Sequence, residues 1–237
     1  MTLITHAKNT PNCFQTLPKG ELLKLRTKDL YDLKDVEDPF VWGTMQFCSS
    51  VASRLGLHLM SPPDDFLPSL SEEYLLRRVE LTTVKEYRAR PCTRTPKFVK
   101  PADWKTFVAD IYASPSDVPW KGIDPKCPIL VSDVVDFEYE YRCYCLDWKV
   151  EAASVYLWPN ALFEPNESYL REATGFCSKV LSVAKDLPSA LVIDVGRLSD
   201  GRWAVVEANQ AYASGVYHEA DPKAVLRVVQ RSSSRAL

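Results

Sequence analysis

Two different spacings of hydrophobic residues divide the chain into candidate helices and candidate strands. Between residues 167 and 187 the hydrophobic positions recur at helical spacing, which predicts one long helix with a single apolar face. Between residues 137 and 146 apolar and polar residues alternate strictly, which predicts a strand with one buried and one polar face. Glu138, Glu140 and Arg142 would share that polar face, because side chains alternate along a strand.

Similar patterns predict further elements along the chain. We expect helices at residues 45–59, 71–90 and 221–230, and strands at residues 97–100, 128–135, 150–157, 190–198 and 202–208. The prolines of residues 61–70 predict a loop, and residues 104–112 are compatible with either a helix or a strand. Several neighbouring strands with a helix packed on one face favour an α+β fold over a doubly wound parallel sheet.

The strongest turn signal is Asp200-Gly201, which separates the last two predicted strands. Counting back along both strands from a two-residue turn brings Asp194 directly opposite Glu207. Opposed side chains have Cβ atoms only ~5 Å apart, and like charges at that distance are destabilising. A three-residue loop would shift the register by one and bring Val206 opposite Asp194 instead.

A divalent cation held by oxygen ligands would remove the conflict between the two carboxylates. Asn209 lies on the same face as Glu207, because it is two residues further along the strand. Asp194, Glu207 and Asn209 therefore form a candidate Mg²⁺ site, since this ion usually takes one or two carboxylates and leaves its other positions to water and phosphate. The alternative is a surface hairpin whose acidic side chains face solvent.

Composition and charge exclude several classes of protein. At 237 residues, with 46% hydrophobic and 25% charged residues, the chain is typical of one large or two small globular domains. Its net charge of −2 gives no reason to expect a nucleic-acid or acidic-membrane partner, and no apolar run reaches the ~20 residues of a membrane span. The first residues do not have the pattern of a signal peptide. We expect a monomer or homodimer.

The cysteine pattern and the short motifs that are absent give no support to several further classes of protein. Seven cysteines without a CxxC pair, and three histidines without zinc-ligand spacing, indicate reduced thiols in a cytoplasmic protein. The sequence contains no GxGxxG or Walker loop and no GxSxG motif. It therefore supports neither a dinucleotide-binding fold, a P-loop enzyme nor an acyl hydrolase.

Lysine and arginine side chains are the candidate phosphate ligands. Lys100 ends a short apolar strand before a proline, where a fixed lysine can reach a phosphate, and Lys105 follows five residues later. The alternative for Lys100 is a solvent-facing position on an edge strand. Arg142 can pair with Glu140, either in a functional site or as one charge of a half-exposed strand.

The order of these features resembles the ATP-grasp fold. The segments that carry the resemblance are FVKP with Lys100, VSDVV with the hinge residues Ser132, Asp133 and Val134, EYR with Glu140 and Arg142, IDVG with Asp194, and VEAN with Glu207 and Asn209. An arginine pair, Arg77-Arg78, precedes the FVKP segment, as in the compact clade named for two arginines and a lysine. The resemblance covers about residues 70–230.

The resemblance implies an α+β ATP-grasp fold in which two α+β subdomains clasp a nucleotide after a short N-terminal pre-ATP-grasp region. The expected boundaries are residues 1–90 for the N-terminal region and 91–237 for the core. Within the core, the central subdomain and hinge would span residues 91–135, and the C-terminal subdomain residues 136–237. Residues 101–128 contain only one glycine, so nucleotide binding would depend more on lysines and arginines than on a glycine-rich loop.

The function implied by the resemblance is an ATP- and Mg²⁺-dependent carboxylate–amine ligase. It would act through an acyl phosphate on an amino acid or peptide. The residues expected to bind the nucleotide are Lys100, Lys105, Ser132, Asp133, Val134, Glu140 and Arg78, with the base against residues 129–135 and Glu140 on the ribose. Lys100 and Arg142 would be catalytic. The alternatives are an ATP-binding assembly factor or chaperone and a structural protein with a degenerate site.

Overall fold

The computed structural model describes residues 1–8, 10–16, 21–26, 29, 33, 36–92, 95–102, 106–157, 166–217 and 220–235. Their strands form three sheets, and a helix covers each face of the last sheet. The chain order of the sheets follows the N-terminal, central and C-terminal parts of the sequence.

The N-terminal part is a three-stranded parallel sheet with one helix after it. Its strands are β1 (Thr2–His6), β2 (Leu22–Leu25) and β3 (Pro39–Trp42), in the order β2-β1-β3. Helix α1 (Met45–Leu55) starts at Thr44, whose side chain accepts from the N–H of Phe47, and ends at Gly56 in the left-handed conformation. This helix confirms most of the prediction at 45–59.

The central sheet is antiparallel and has the order β4-β7-β5-β6. Its strands are β4 (Val79–Thr83), β5 (Lys97–Pro101), β6 (Asp110–Tyr112) and β7 (Pro128–Ser132), and short helices α2 (Phe66–Ser69), α3 (Glu72–Leu75) and α4 (Val84–Arg88) flank β4 along the chain. Strand β6 decides the ambiguous segment 104–112 in favour of a strand at its end. The predicted boundary between residues 90 and 91 falls between β4 and β5, two strands of this one sheet.

The C-terminal sheet holds the longest strands and has the order β11-β10-β8-β9. These are β8 (Tyr139–Leu146), β9 (Lys149–Leu157), β10 (Ala190–Arg197) and β11 (Trp203–Asn209). Helix α5 (Glu167–Val183) packs Cys177 with Cys143 of β8, whereas helix α6 (Pro222–Ser232) packs Val228 with Tyr144, on the opposite face. The long helix and the C-terminal hairpin are confirmed.

The strand predicted at 137–146 is present as β8, but the prediction that one of its faces is exposed is wrong. Arg142 and Tyr144, on the face expected to be polar, are as buried as Tyr141 and Cys143 on the other face. The reason is that α5 and α6 cover both faces of the sheet at this strand. The charge of Arg142 must therefore be neutralised inside the protein.

The predicted helix at 71–90 is also wrong, because the segment contains α3, β4 and α4 instead. Leu76 has a φ of 51° and ends α3 in the left-handed region. The β-branched sequence VELTT then pairs with β7, and this pairing outweighs helix propensity. Thr83 and Glu86 form a capping box that starts α4. The loop predicted at 61–70 contains α2 at its end.

The N-terminal sheet is joined to the C-terminal end of α6. The N–H of Val41 in β3 donates to Ser233 Oγ at 3.1 Å, and the Ser233 hydroxyl donates to the Val41 carbonyl oxygen at 2.9 Å. The indole N–H of Trp42 donates to the carbonyl oxygen of Ser214 at 2.8 Å. All four residues are buried, so these bonds are made away from solvent.

Candidate active site

The hairpin of β10 and β11 has the predicted register at its acidic residues but not at its turn. Asp194 pairs with Glu207, as a two-residue turn predicts, whereas near the turn Arg197 pairs with Trp203, one residue out of that register. The two registers are compatible because Val195 pairs with Val205 and leaves Val206 as an extra residue, a β-bulge. The turn is thus longer than predicted, and the bulge restores the opposition of the two carboxylates.

Strand β8 brings Arg142 to the other side of Asp194. The two residues are direct partners across β8 and β10, and the guanidinium donates two hydrogen bonds, Nε to Oδ1 at 2.9 Å and Nη2 to Oδ2 at 2.7 Å. The Arg142 guanidinium also stacks over the rings of Tyr156, at 4.4 Å, and Tyr217, at 5.6 Å. The structure therefore pairs Arg142 with Asp194, where the sequence suggested Glu140.

Lys100 joins the central sheet to the C-terminal sheet at this point. Its Nζ lies 2.5 Å from Oε2 of Glu207, with the two side chains 19% and 26% exposed. Asn209 donates from Nδ2 to Glu207 Oε1 at 2.8 Å and to Asp194 Oδ2 at 3.2 Å. Lys100, Arg142, Asp194, Glu207 and Asn209 therefore form one continuous polar network, which we call the acidic cluster.

The carboxylates of this region have strongly perturbed pKa values. Burial and the nearby charges of Asp194 and Glu207 raise the pKa of Glu140 to about 7. Burial raises the pKa of Asp194 to about 6, even though Arg142 favours its charged form. Burial acts in the same direction on Glu207, but the charge and hydrogen bond of Lys100 outweigh it and hold that pKa at about 2. Burial lowers the pKa of Arg142, and its bonds to Asp194 reverse this to a value above the ordinary one.

The donor chemistry of the acidic cluster fits Mg²⁺. Among the described residues, no three histidine, cysteine, aspartate or glutamate side chains form a ready-made metal site. Two carboxylates and one carboxamide are nevertheless the hard oxygen ligands that Mg²⁺ takes when phosphate and water complete its coordination. Glu140 adds a third carboxylate near the cluster. Burial, together with the charges of Asp194 and Glu207, opposes its ionisation, so a bound cation would stabilise its charged form.

Three other residues predicted to bind nucleotide lie away from the acidic cluster. Arg78, Ser132 and Asp133 line a cavity of about 770 Å³ together with Lys97 and Val131. Because side chains alternate along β5, the Lys97 side chain points to the sheet face opposite Lys100. The cavity is therefore distinct from the acidic cluster, and Lys105 lies outside the described residues.

The hinge backbone is already partly hydrogen-bonded. The N–H of Asp133 donates to the carbonyl oxygen of Arg78 at 3.1 Å, and the Asp133 carboxylate accepts from Lys97 Nζ at 2.6 Å and from the N–H of Arg78 at 3.2 Å. Val134, in contrast, is 40% exposed. A base bound at the hinge would therefore find the Asp133 amide occupied and would have to use groups nearer Val134.

Sequence reasoning missed four side chains that contact these groups. They are Lys97, which pairs with Asp133; Tyr156 and Tyr217, which stack on Arg142; and Arg77, which contacts β11. Only Arg77 had a signal in the sequence, its place in the arginine pair, because the other contacts depend on strand order.

None of the described helices has the length and hydrophobicity needed to cross a bilayer.

Several solved structures have the same architecture as this chain. The chain is similar to the ATP-grasp RimK domain protein of Sphaerobacter thermophilus DSM 20745 (11% identity, TM-score 0.53, 98% of this chain and 97% of that one). It is also similar to D-alanine–D-alanine ligase of Bacillus anthracis (12%, 0.52, 97% of each chain) and to D-cycloserine synthetase DcsG (15%, 0.54, 97% of each chain). These similarities show an ATP-grasp fold.

The family assignment is more specific than the fold. Residues 74–228 match the ATP-grasp domain family that is the second family of the clade named for two arginines and a lysine, and the chain belongs to this family. The predicted α+β ATP-grasp fold and the predicted clade are thus confirmed. Among curated proteins, none matches the sequence significantly.

Proposed function

We propose that the protein is an ATP- and Mg²⁺-dependent carboxylate–amine ligase whose active site is the acidic cluster. The observation that carries the proposal is the contact between Lys100 of the central sheet and Glu207 of the C-terminal sheet, beside the pair of Arg142 and Asp194. Membership of an ATP-grasp family supports ATP as the nucleotide. Two structures with the same fold are named as ligase and synthetase, which fits an ATP-dependent C–N ligase.

The proposed reaction has two steps. A carboxylate oxygen of the substrate attacks the γ-phosphorus of ATP, so that an acyl phosphate forms and ADP leaves. The nitrogen of an amine then attacks the acyl carbon, phosphate leaves, and the nitrogen loses a proton to solvent. Both steps need alignment of reactants and neutralisation of charge more than they need a strong general base.

The residues of the acidic cluster have separate roles in this reaction. Asp194, Glu207 and Asn209 would hold Mg²⁺, which supplies positive charge at the phosphate oxygens. Lys100 would exchange Glu207 for a phosphate oxygen when the nucleotide binds, because a lysine is a mobile point charge. Arg142 is fixed by its stacking and by two bonds to Asp194, and it would stabilise negative charge on the transferred group from that fixed position.

The remaining predicted contacts complete the nucleotide site. We expect the base near Val134, Glu140 on the ribose hydroxyls, and Arg78 and Lys105 on phosphate or on the substrate carboxylate. An amino acid or short peptide remains the proposed substrate, in a protein that we expect to be cytoplasmic and monomeric or dimeric.

The test is release of phosphate and ADP from ATP with Mg²⁺ and pools of amino acids and dipeptides, followed by mass spectrometry of the products. A new amide whose formation depends on both a carboxylate and an amine would support the proposal. Tight ATP binding without ADP formation in any pool would favour the alternative of an ATP-binding assembly factor. Absence of ATP binding would contradict both.

A further inference from the structure

Arg77 links the segment before the central sheet to the edge of the C-terminal sheet. It lies between α3 and β4, and its guanidinium is over the ring of Phe137 at 5.7 Å. Nη1 donates to the carbonyl oxygens of Leu75 at 2.9 Å and Val205 at 2.8 Å, and Nη2 donates to the carbonyl oxygen of Val206 at 3.0 Å. Its partners are therefore backbone groups of two separate elements.

The two carbonyl groups of β11 are consecutive, which is unusual for one donor side chain. In a regular strand successive carbonyl groups point to opposite edges, so one guanidinium at one edge can reach only one of them. Here the bulge at Val206 breaks the alternation, and the carbonyl oxygens of Val205 and Val206 both accept from Arg77. The planar fork of the guanidinium thus recognises the bulge itself.

The bulge determines where Glu207 lies. Without an extra residue in β11, the register of the turn would bring Val206 opposite Asp194 and would turn the Glu207 side chain to the other face. We propose that Arg77 is a positioning residue, which holds the bulge and thereby holds Glu207 opposite Asp194 and against Lys100. This inference rests on the proposed function for its consequence in catalysis, but the structural role can be measured without turnover.

Hydrogen exchange tests the structural role. In Arg77→Lys, the ammonium has no planar fork whose separate nitrogens can match the two carbonyl oxygens. We therefore expect the amides of Val205–Glu207 to exchange about tenfold faster than in the wild type, relative to those of Tyr141–Cys145 in β8. Arg202→Lys is the matched control, since Arg202 is in the same hairpin but pairs with the exposed Asp200. Equal relative exchange in the two variants would overturn the inference.

Deletion of Val206 tests the consequence for the site. The deletion removes the bulge, yet the turn register then places Glu207 opposite Asp194 by regular alternation. A protein without Val206 has no bulge for Arg77 to hold. In that protein Arg77→Lys should therefore lower kcat less than twofold, whereas it should lower kcat tenfold or more when Val206 is present. ATP and magnesium should be saturating in both measurements.

The outcomes separate the inference from the proposed function. Equal loss of kcat with and without Val206 would mean that Arg77 acts on a substrate directly, which would overturn the positioning role. If the deletion variant fails to fold, the exchange experiment decides. Absence of turnover in the wild type would contradict the proposed function, while the exchange ratio would still support or overturn the role of Arg77.

Discussion

Arg142 and Asp194 are direct neighbours across β8 and β10 and form a buried pair with two hydrogen bonds, at 2.9 and 2.7 Å. Their side chains are 6% and 0% exposed, so neither charge is hydrated in the folded protein. Removing one partner of such a pair leaves the other charge without compensation. The stability of the sheet and the proposed chemistry of the site would therefore depend on the same two side chains.

We expect Arg142→Lys to lose both activity and stability. Lysine cannot donate in the planar two-bond geometry, so kcat should fall at least tenfold, and the free energy of unfolding should fall by about 2–4 kcal/mol. Urea unfolding and ADP formation at saturating ATP measure the two effects. Arg227→Lys is the control, because the pair of Arg227 and Glu151 is exposed and such pairs contribute ~0–1 kcal/mol. Wild-type turnover in Arg142→Lys would remove Arg142 from the catalytic residues.

Lys100→Ala should weaken nucleotide binding more than it weakens the fold. The variant lacks the proposed phosphate ligand, and we expect the Kd for ATP to rise about tenfold or more, which is typical of a lost charge-assisted bond. Isothermal titration calorimetry with an ATP analogue and magnesium measures this change. Lys97→Ala is a matched control from the same strand, because Lys97 points to the other face and pairs with Asp133. A larger effect in the control would assign the phosphate site to the cavity instead.

Glu207→Gln should abolish magnesium-dependent turnover and leave the fold intact. Glutamine has the shape of glutamate and can still bond Asn209, but it lacks the charge needed to bind the metal ion. ADP formation and circular dichroism before and after heating give the two readouts. Glu151→Gln, on the surface of β9, controls for the loss of one negative charge. Turnover equal to that of the control would exclude this site.

Glu140 should make the protein without ligand less stable at high pH. Burial raises the pKa of Glu140 from an ordinary 4.5 to about 7, so the folded protein holds the Glu140 proton more tightly than the unfolded chain does. The stability that this proton contributes is complete below pH 4.5 and is lost as the pH rises through 7. Glu140→Gln should therefore be more stable than the wild type at pH 8, on the order of 2 kcal/mol, with little difference at pH 4. Urea unfolding at both pH values checks this. Glu138→Gln, at an exposed position, controls for the loss of one carboxylate, and equal behaviour of the two variants would contradict the prediction.

Only glycine fits at position 196 of β10, because the ring of Phe137 approaches its backbone closely. Phe137 itself lies in the segment between the central and C-terminal sheets. A Cβ atom at position 196 would lie 2.3 Å from Cδ1 of the ring, so Gly196→Ala should lower the free energy of unfolding by about 1–3 kcal/mol. Gly175→Ala is the opposite case, because nothing lies within 4 Å of its Cβ position in α5. That variant should gain about 0.5–1 kcal/mol from helix propensity. Thermal unfolding of both variants would show the difference in sign.

Local sequence patterns predicted most strands and the long helix because each buries a face whose period is specific to its geometry. The segment 71–90 misled the prediction, since Leu75 and Val79 have the i,i+4 spacing of one helical face although they lie in two different elements, α3 and β4. No residue type marks the extra position Val206, so the length of the turn was wrong while the opposition of Asp194 and Glu207 was right.

The partners within the site depended on information that local patterns do not contain. That β8 lies beside β10, and hence that Arg142 meets Asp194, follows from the order of strands in the sheet. The contact between Lys100 and Glu207 spans 107 residues of sequence and joins two sheets. The resemblance to ATP-grasp proteins predicted which residues belong to the proposed site, and the structure showed which cation neutralises which carboxylate among them.

The bonds between Val41 and Ser233 also have a consequence for how the protein is made. They join positions 192 residues apart, so a ribosome that adds 5–20 residues per second needs about 10–40 s between the two. In the last part of that interval, after β10 has been synthesised and before α6 has, the apolar face of β8 and β10 that α6 later covers, with Tyr144 and Val192, is open to other chains. We therefore expect the nascent protein to depend on chaperones until synthesis passes α6.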